Sequence, residues 1–91
     1  MLYLVAYDIP SGTKAGARRR KQLHDLLLDF GRPVQYSVFE CDLDPRRRAR
    51  LDALWRNIVD PKLDRLALYP ICEKCASRAE FHGPLGPLLD L

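Results

Sequence analysis

Asp8 ends an apolar run, Leu2, Tyr3, Leu4, Val5, Ala6 and Tyr7, just before Ile9, Pro10, Ser11 and Gly12 turn the chain. Six apolar or strand-favouring residues in a row read as a strand covered on both faces. The carboxylate therefore stands where rigid backbone meets loops, a place from which it can hold a hard cation or a substrate. The alternative is an ordinary turn or helix-capping aspartate. Two basic clusters accompany it: Lys14, Arg18, Arg19, Arg20 and Lys21, then Arg46, Arg47, Arg48, Arg50 and Arg56, together ten of the fifteen Lys and Arg residues. Guanidinium forks match phosphate oxygens, so both clusters are candidate nucleic-acid contacts. Solvated helix faces are the simpler reading of the same charges.

Other catalytic arrangements are missing from the pattern. There is no Ser-His-Asp or Cys-His spacing and no glycine-rich phosphate loop, and His24 and His82 sit where ordinary histidines occur. Phosphodiester hydrolysis without a histidine base calls on a divalent metal. One carboxylate is a poor site for Mg²⁺, which takes about six oxygens. Two copies of Asp8 meeting across a dimer axis would do better, with water, backbone carbonyls and phosphate completing the shell. Without a cation the paired acids would repel and resist joint ionisation. The Cys72-Glu73-Lys74-Cys75 segment lacks the four ligands of structural zinc unless Cys41 and a histidine join it. A redox pair is disfavoured because no helix after a first strand is predicted to begin there. Reduced thiols in a strand-to-strand turn are the leading reading.

Positioning these groups requires an order of elements. After the first strand, Ser11 to Thr13 carries turn and cap chemistry for a helix over residues 14–30, whose Leu23, Leu26, Leu27 and Phe30 form one buried stripe before Gly31 stops it. Cations in its N-terminal half oppose the helix dipole and hint at an anionic partner. Residues 34–43 alternate as a strand, either one bent strand over 32–43 or a short strand followed by a longer one. Asp44 and Pro45 cap and open a second helix with Leu51, Leu54, Trp55 and Ile58 inward. Trp55 on that stripe reads as a core anchor. Residues 63–71 form another buried strand, and 79–82 a further edge strand. The order predicts an α+β, ferredoxin-like βαββαβ sheet with both helices on one face.

At 91 residues, 47% hydrophobic and 30% charged, the chain reads as one domain over 1–82 plus a Leu- and Pro-rich tail over 83–91, apolar enough to dock on a partner. No stretch approaches the ~18 apolar residues of a membrane span, which predicts a cytoplasmic protein with no membrane partner and reduced cysteines. A core this small, with one sheet face bare, favours a homodimer that buries that face.

Tyr7-Asp8-Ile9, the run Arg18 to Lys21, and above all Gln35-Tyr36-Ser37-Val38-Phe39-Glu40 resemble the second CRISPR-associated protein family, the small partner of the Cas integrase in spacer acquisition. The resemblance spans nearly the whole chain. It implies a homodimer with sheets face to face, the two Asp8 residues near the axis, and residues 79–82 crossing onto the partner's sheet. It further implies an endonuclease dependent on Mg²⁺ or Mn²⁺, acting on RNA or duplex DNA, with Asp8 as metal ligand and catalytic residue. Arg18, Arg19 and the motif residue Phe39 are implicated with it, Phe39 as a catalytic residue. Pro33 departs from the arginine some members carry there. Members also serve as scaffolds joining integrase subunits. Three functions follow: a metal-dependent nuclease, with Lys14, Arg18, Arg19, Arg20, Lys21, Arg46 and Arg47 binding nucleic acid; an architectural duplex-DNA adaptor; and, more distantly, an RNA-binding or ligand-sensing module.

Overall fold

The structure, a computed structural model, describes residues 1–82. Its elements are β1 (Leu2–Asp8), α1 (Lys14–Leu28), β2 (Arg32–Gln35), β3 (Val38–Asp42), α2 (Pro45–Trp55), β4 (Arg65–Ile71) and a single turn, α3 (Glu73–Ala76). The strands form one antiparallel sheet in the order β2-β3-β1-β4, the ferredoxin-like arrangement. β1 lies in the interior of the sheet, paired on both sides, so its backbone groups are satisfied along its length.

Strand alternation sorts the side chains. Val5 and Tyr7 of β1, with Phe39 and Cys41 of β3, point to the helices and are buried with Leu23 and Leu27 of α1, Leu51 of α2, and Ile9, Phe30 and Leu43 from the connections. Leu2, Leu4, Ala6 and Asp8 point the other way. The register sets Leu2 beside Ile71, Leu4 beside Tyr69, Ala6 beside Ala67 and Asp8 beside Arg65, with Val38 and Glu40 continuing the same face across β3. β1 is thus covered on one face only in the single chain, where the unbroken apolar run predicted two; the run records apolar demand on both faces, and the helices meet half of it.

Local chemistry explains the boundaries. Thr13 caps α1, its hydroxyl accepting from the Gly16 amide at 3.0 Å. Gly16 is required there, because a Cβ would lie 2.0 Å from the Pro10 carbonyl oxygen. This close approach fastens the loop after Asp8 to the start of α1. The helix ends at Leu28 rather than Phe30, closed by the Gly31 amide donating to the Leu27 carbonyl at 2.9 Å. Asp44 caps α2 through the Arg47 amide at 2.7 Å, with Pro45 in the first turn. The open choice over residues 32–43 resolves as two strands, joined by a turn at Tyr36 and Ser37 and irregular in register between Pro33 and Gln35.

Two local expectations change. Cys72 and Cys75 do not sit in a strand-to-strand turn: Cys72 caps α3, its sulfur accepting from the Cys75 amide at 3.3 Å. Residues 79–82 form no strand on this chain's own sheet. α3 carries the chain off the end of β4, and among the described residues no hairpin returns to the sheet. The docking tail over 83–91 lies outside the described residues.

Candidate functional site

Asp8 projects from the helix-free face at the very end of β1, its side chain 64% exposed. Directly across the β1–β4 pairing, Arg65 donates from Nη2 to Asp8 Oδ2 at 2.5 Å. Both line a shallow, open cavity of about 570 Å³ with Tyr7, Ala67 and Tyr69. Arg65 is the residue sequence reasoning missed. Only strand register puts it opposite Asp8, and nothing in the spacing of 57 residues announces that register.

Next to Arg65, Asp64 turns inward. Its fully buried carboxylate receives a two-pronged contact from Arg19, Nε to Oδ2 at 2.8 Å and Nη2 to Oδ1 at 3.1 Å, and a third bond from the Asp60 amide at 2.8 Å. The Arg19 hydrogen bonds hold the Asp64 carboxyl below the usual carboxylate range against the opposing effect of burial. Arg19 therefore ties α1 to the start of β4, which keeps Arg65 in register with Asp8. Its guanidinium is engaged by that carboxylate through Nε and Nη2.

Phe39 is wholly buried, on the opposite face of the sheet from Asp8. Its ring centroid lies 5.2 Å from that of His24, edge to face, and 6.4 Å from that of Tyr7. Phe39, expected as a catalytic residue, is enclosed by the core of the single chain, where its ring supports Tyr7, Asp8's neighbour, from beneath. Tyr7 hydroxyl and His24 Nδ1 lie 3.3 Å apart in hydrogen-bond contact. Burial raises the Tyr7 phenol above its ordinary pKa, and the charge of Arg20 offsets part of that rise.

The remaining cations divide by employment. Lys14, Arg18 and Arg20 are exposed on α1, whose first turn contains no acid, and have no ion-pair partner among the described residues. Lys21 pairs with Asp25 one turn on at 2.8 Å. In the second cluster, Arg46 and Arg50 are exposed. Arg47 is held by the carbonyls of Asp42 and Asp29 at 3.1 and 3.2 Å, with its guanidinium over the Phe30 ring. Arg48 pairs with Asp52 and covers Tyr3, and Arg56 covers Trp55. Packing of this kind is a stem-and-fork use of arginine that charge counting overlooks.

Neither a complete metal shell nor a zinc site is assembled among the described residues. Among the described residues no three His, Cys, Asp or Glu groups converge. Cys41 is buried, with desolvation pushing its thiol up to about 11, whereas Cys72 and Cys75 are exposed. Asp8 offers one carboxylate, fewer oxygen ligands than a divalent ion takes.

Residues 1–79 match the family described as CRISPR associated protein Cas2. The chain belongs to the Cas2 family. It is 39% identical over 87 residues to the CRISPR-associated endoribonuclease Cas2 of Chlorobaculum tepidum, a match covering 96% of this chain and 91% of that one. It is 43% identical over 90 residues to the CRISPR-associated endonuclease Cas2 2 of Thermus thermophilus, covering 99% and 89%. The crystal structure of Streptococcus pyogenes Cas2 superposes with a TM-score of 0.80 at 34% identity, over 91% of this chain and all of that one. A hypothetical protein of Thermus thermophilus superposes at 0.74 with 38% identity, over 98% and 96%. The Cas2 match therefore takes in the whole sheet, both long helices, Asp8 and Arg65. No helix among the described residues is long and apolar enough to cross a membrane.

Proposed function

We propose that this Cas2-family chain is a CRISPR adaptation protein of the cytoplasm: a homodimeric endonuclease whose paired Asp8 residues hold Mg²⁺ or Mn²⁺ and hydrolyse phosphodiester bonds of RNA or DNA. The observation that carries this reading is the location of Asp8 at the rim of a helix-free sheet face. That face presents Leu2, Leu4, Ala6, Val38, Ala67, Tyr69 and Ile71, with Tyr69 57% exposed. A second copy laid on it buries apolar surface at about 25 cal/mol per Å² and brings a second Asp8 to the same rim. The names of the Chlorobaculum and Thermus relatives, an endoribonuclease and an endonuclease, support the chemistry.

In this mechanism the two Asp8 carboxylates would hold the divalent ion, which would supply positive charge against the charge that develops on phosphoryl oxygens. Arg65, which donates from Nη2 to Asp8 Oδ2, would stand beside that ion with its remaining donors available to a phosphate oxygen. Lys14, Arg18 and Arg20 grip neighbouring phosphates from α1. The Arg19–Asp64 contact and Phe39 keep the strand ends in place. Asp8→Asn is expected to abolish cleavage by the purified protein while leaving the dimer intact by sedimentation. Cleavage that persists in that variant rejects the nuclease reading.

One observation favours a second, architectural reading, in which the dimer grips duplex DNA and joins Cas integrase subunits. Asp8 is already neutralised by Arg65, and the unpaired cations of α1 can hold phosphates with no cleavage. Spacer integration in a reconstituted system separates the two: integration undiminished by Asp8→Asn supports the adaptor, and its loss supports the nuclease.

A further inference from the structure

On the other side of the end of β1 from Asp8, a groove of about 600 Å³ opens between α1 and the β2–β3 turn. Its walls are Arg20, Lys21 and His24 of α1, Tyr36 and Ser37 of the turn, and Tyr7 at its floor. Its size is that of a small-molecule site rather than a crevice. Tyr36 is the unexpected member. Its side chain stands 97% exposed, so it adds almost nothing to the core, at a turn position where small polar residues ordinarily serve. The turn that carries it is held: the Val38 amide donates to the Tyr36 carbonyl at 2.9 Å, and the Tyr7 amide donates to the Ser37 carbonyl at 3.0 Å. The turn backbone is thus attached to the residue immediately before Asp8. Facing it, Arg20 has no acidic partner among the described residues, and Lys21 shares its charge only with the exposed Asp25.

We infer that this groove is a nucleotide subsite for single-stranded nucleic acid, with one base stacked on Tyr36 and the adjoining phosphate on Arg20 and Lys21. An exposed aromatic face on a hydrogen-bonded turn, lining the same groove as a guanidinium with no ion pair among the described residues, is the pairing that single strands require: every base has a π-face, and every linkage has a charge. In a duplex the bases are stacked on one another and offer no face to Tyr36. Tyr7 borders both this groove and the Asp8 cavity, so a strand crossing the end of β1 passes from the stacked base toward the carboxylate. The subsite therefore selects for unpaired strands next to the bond to be cut. This rests on the reading of the chain as a nucleic-acid-binding nuclease, and its test avoids cleavage.

The test is fluorescence anisotropy in EDTA, with a labelled oligouridylate and a duplex of the same length, on the wild type, Tyr36→Ala, Tyr36→Phe and Arg20→Ala. Tyr36 is off the core, so its variants fold. Tyr36→Ala is expected to weaken single-strand binding about tenfold with duplex binding unchanged, and Tyr36→Phe to retain it. Arg20→Ala lowers single-strand affinity and reduces the slope of log affinity against log salt by about one. Unchanged single-strand affinity in Tyr36→Ala, or an equal loss for the duplex, overturns the subsite alone. A wild type that binds neither oligonucleotide overturns the nucleic-acid reading and the subsite with it.

Discussion

Replacing Phe39 separates a packing role from a chemical one. The ring is fully buried between Tyr7 and His24, in contact with the inner face of the sheet. Phe39→Ala removes it from a site that helices on one side and strand backbone on the other keep from collapsing, a change that costs about 3–5 kcal/mol. A domain of this length holds roughly 5–14 kcal/mol in total, so the alanine variant should stand near the edge of unfolding. Phe39→Leu keeps an apolar side chain of nearer volume and should cost about 1–2 kcal/mol. Urea unfolding at one fixed protein concentration, followed through the single tryptophan, Trp55, measures both. Cleavage and oligonucleotide binding are then compared at urea-free conditions where each variant is folded. Activity should track the folded fraction, with the leucine variant near wild type. A fully folded Phe39→Leu protein whose cleavage falls to the Asp8→Asn background would refute this reasoning and return Phe39 to the chemistry.

Two further outcomes follow from the ion pairs. Arg65→Ala frees both oxygens of Asp8 from a competing cation, so Mn²⁺ binding measured by calorimetry should tighten; weaker binding would mean that Arg65 organises the metal site instead of opposing it. Asp64 has a depressed folded-state pKa, so its contribution is present above the unfolded carboxylate value, near pH 4, and is lost as pH falls through the lower folded value. Asp64→Asn should therefore be less stable at pH 7 and should show a shallower acid limb in a stability-against-pH profile; an unchanged acid limb would show that other carboxylates govern it.

What could be read from the chain was whatever depends on neighbours in sequence. The Asp44–Pro45 cap and the Leu23 and Leu27 stripe of α1 were legible because capping and 3.6-residue periodicity are local, whereas of the stripe expected in α2 only Leu51 is buried, Leu54 is exposed and Ile58 lies past the helix end. The end of β1 at Asp8 was legible too, where apolar residues give way to Pro10, Ser11 and Gly12. The α+β order followed from those pieces, and the resemblance carried by residues 35–40 pointed to the Cas2 family that the comparisons show. The helical turn at Cys72 escaped because four residues carry too little pattern to distinguish a helical turn from a reverse turn. The employment of the arginines was not legible at all. Arg18, Arg19 and Arg20 are consecutive and chemically identical, yet one meets Asp64, a second stands free, and the third faces an exposed tyrosine across a groove. That division depends on which direction each residue takes around α1 and on what the sheet brings opposite it. The same holds for Arg65, which reaches Asp8 only because β4 pairs with β1 in one particular register. Composition and spacing determined that the chain would carry an acid at a strand end amid many cations. Only the packed sheet and helices decided which cation neutralises the acid, which ones hold the fold together, and which remain for a ligand, because charge pairing falls off within a few ångströms and proximity at that scale is made by long-range contacts.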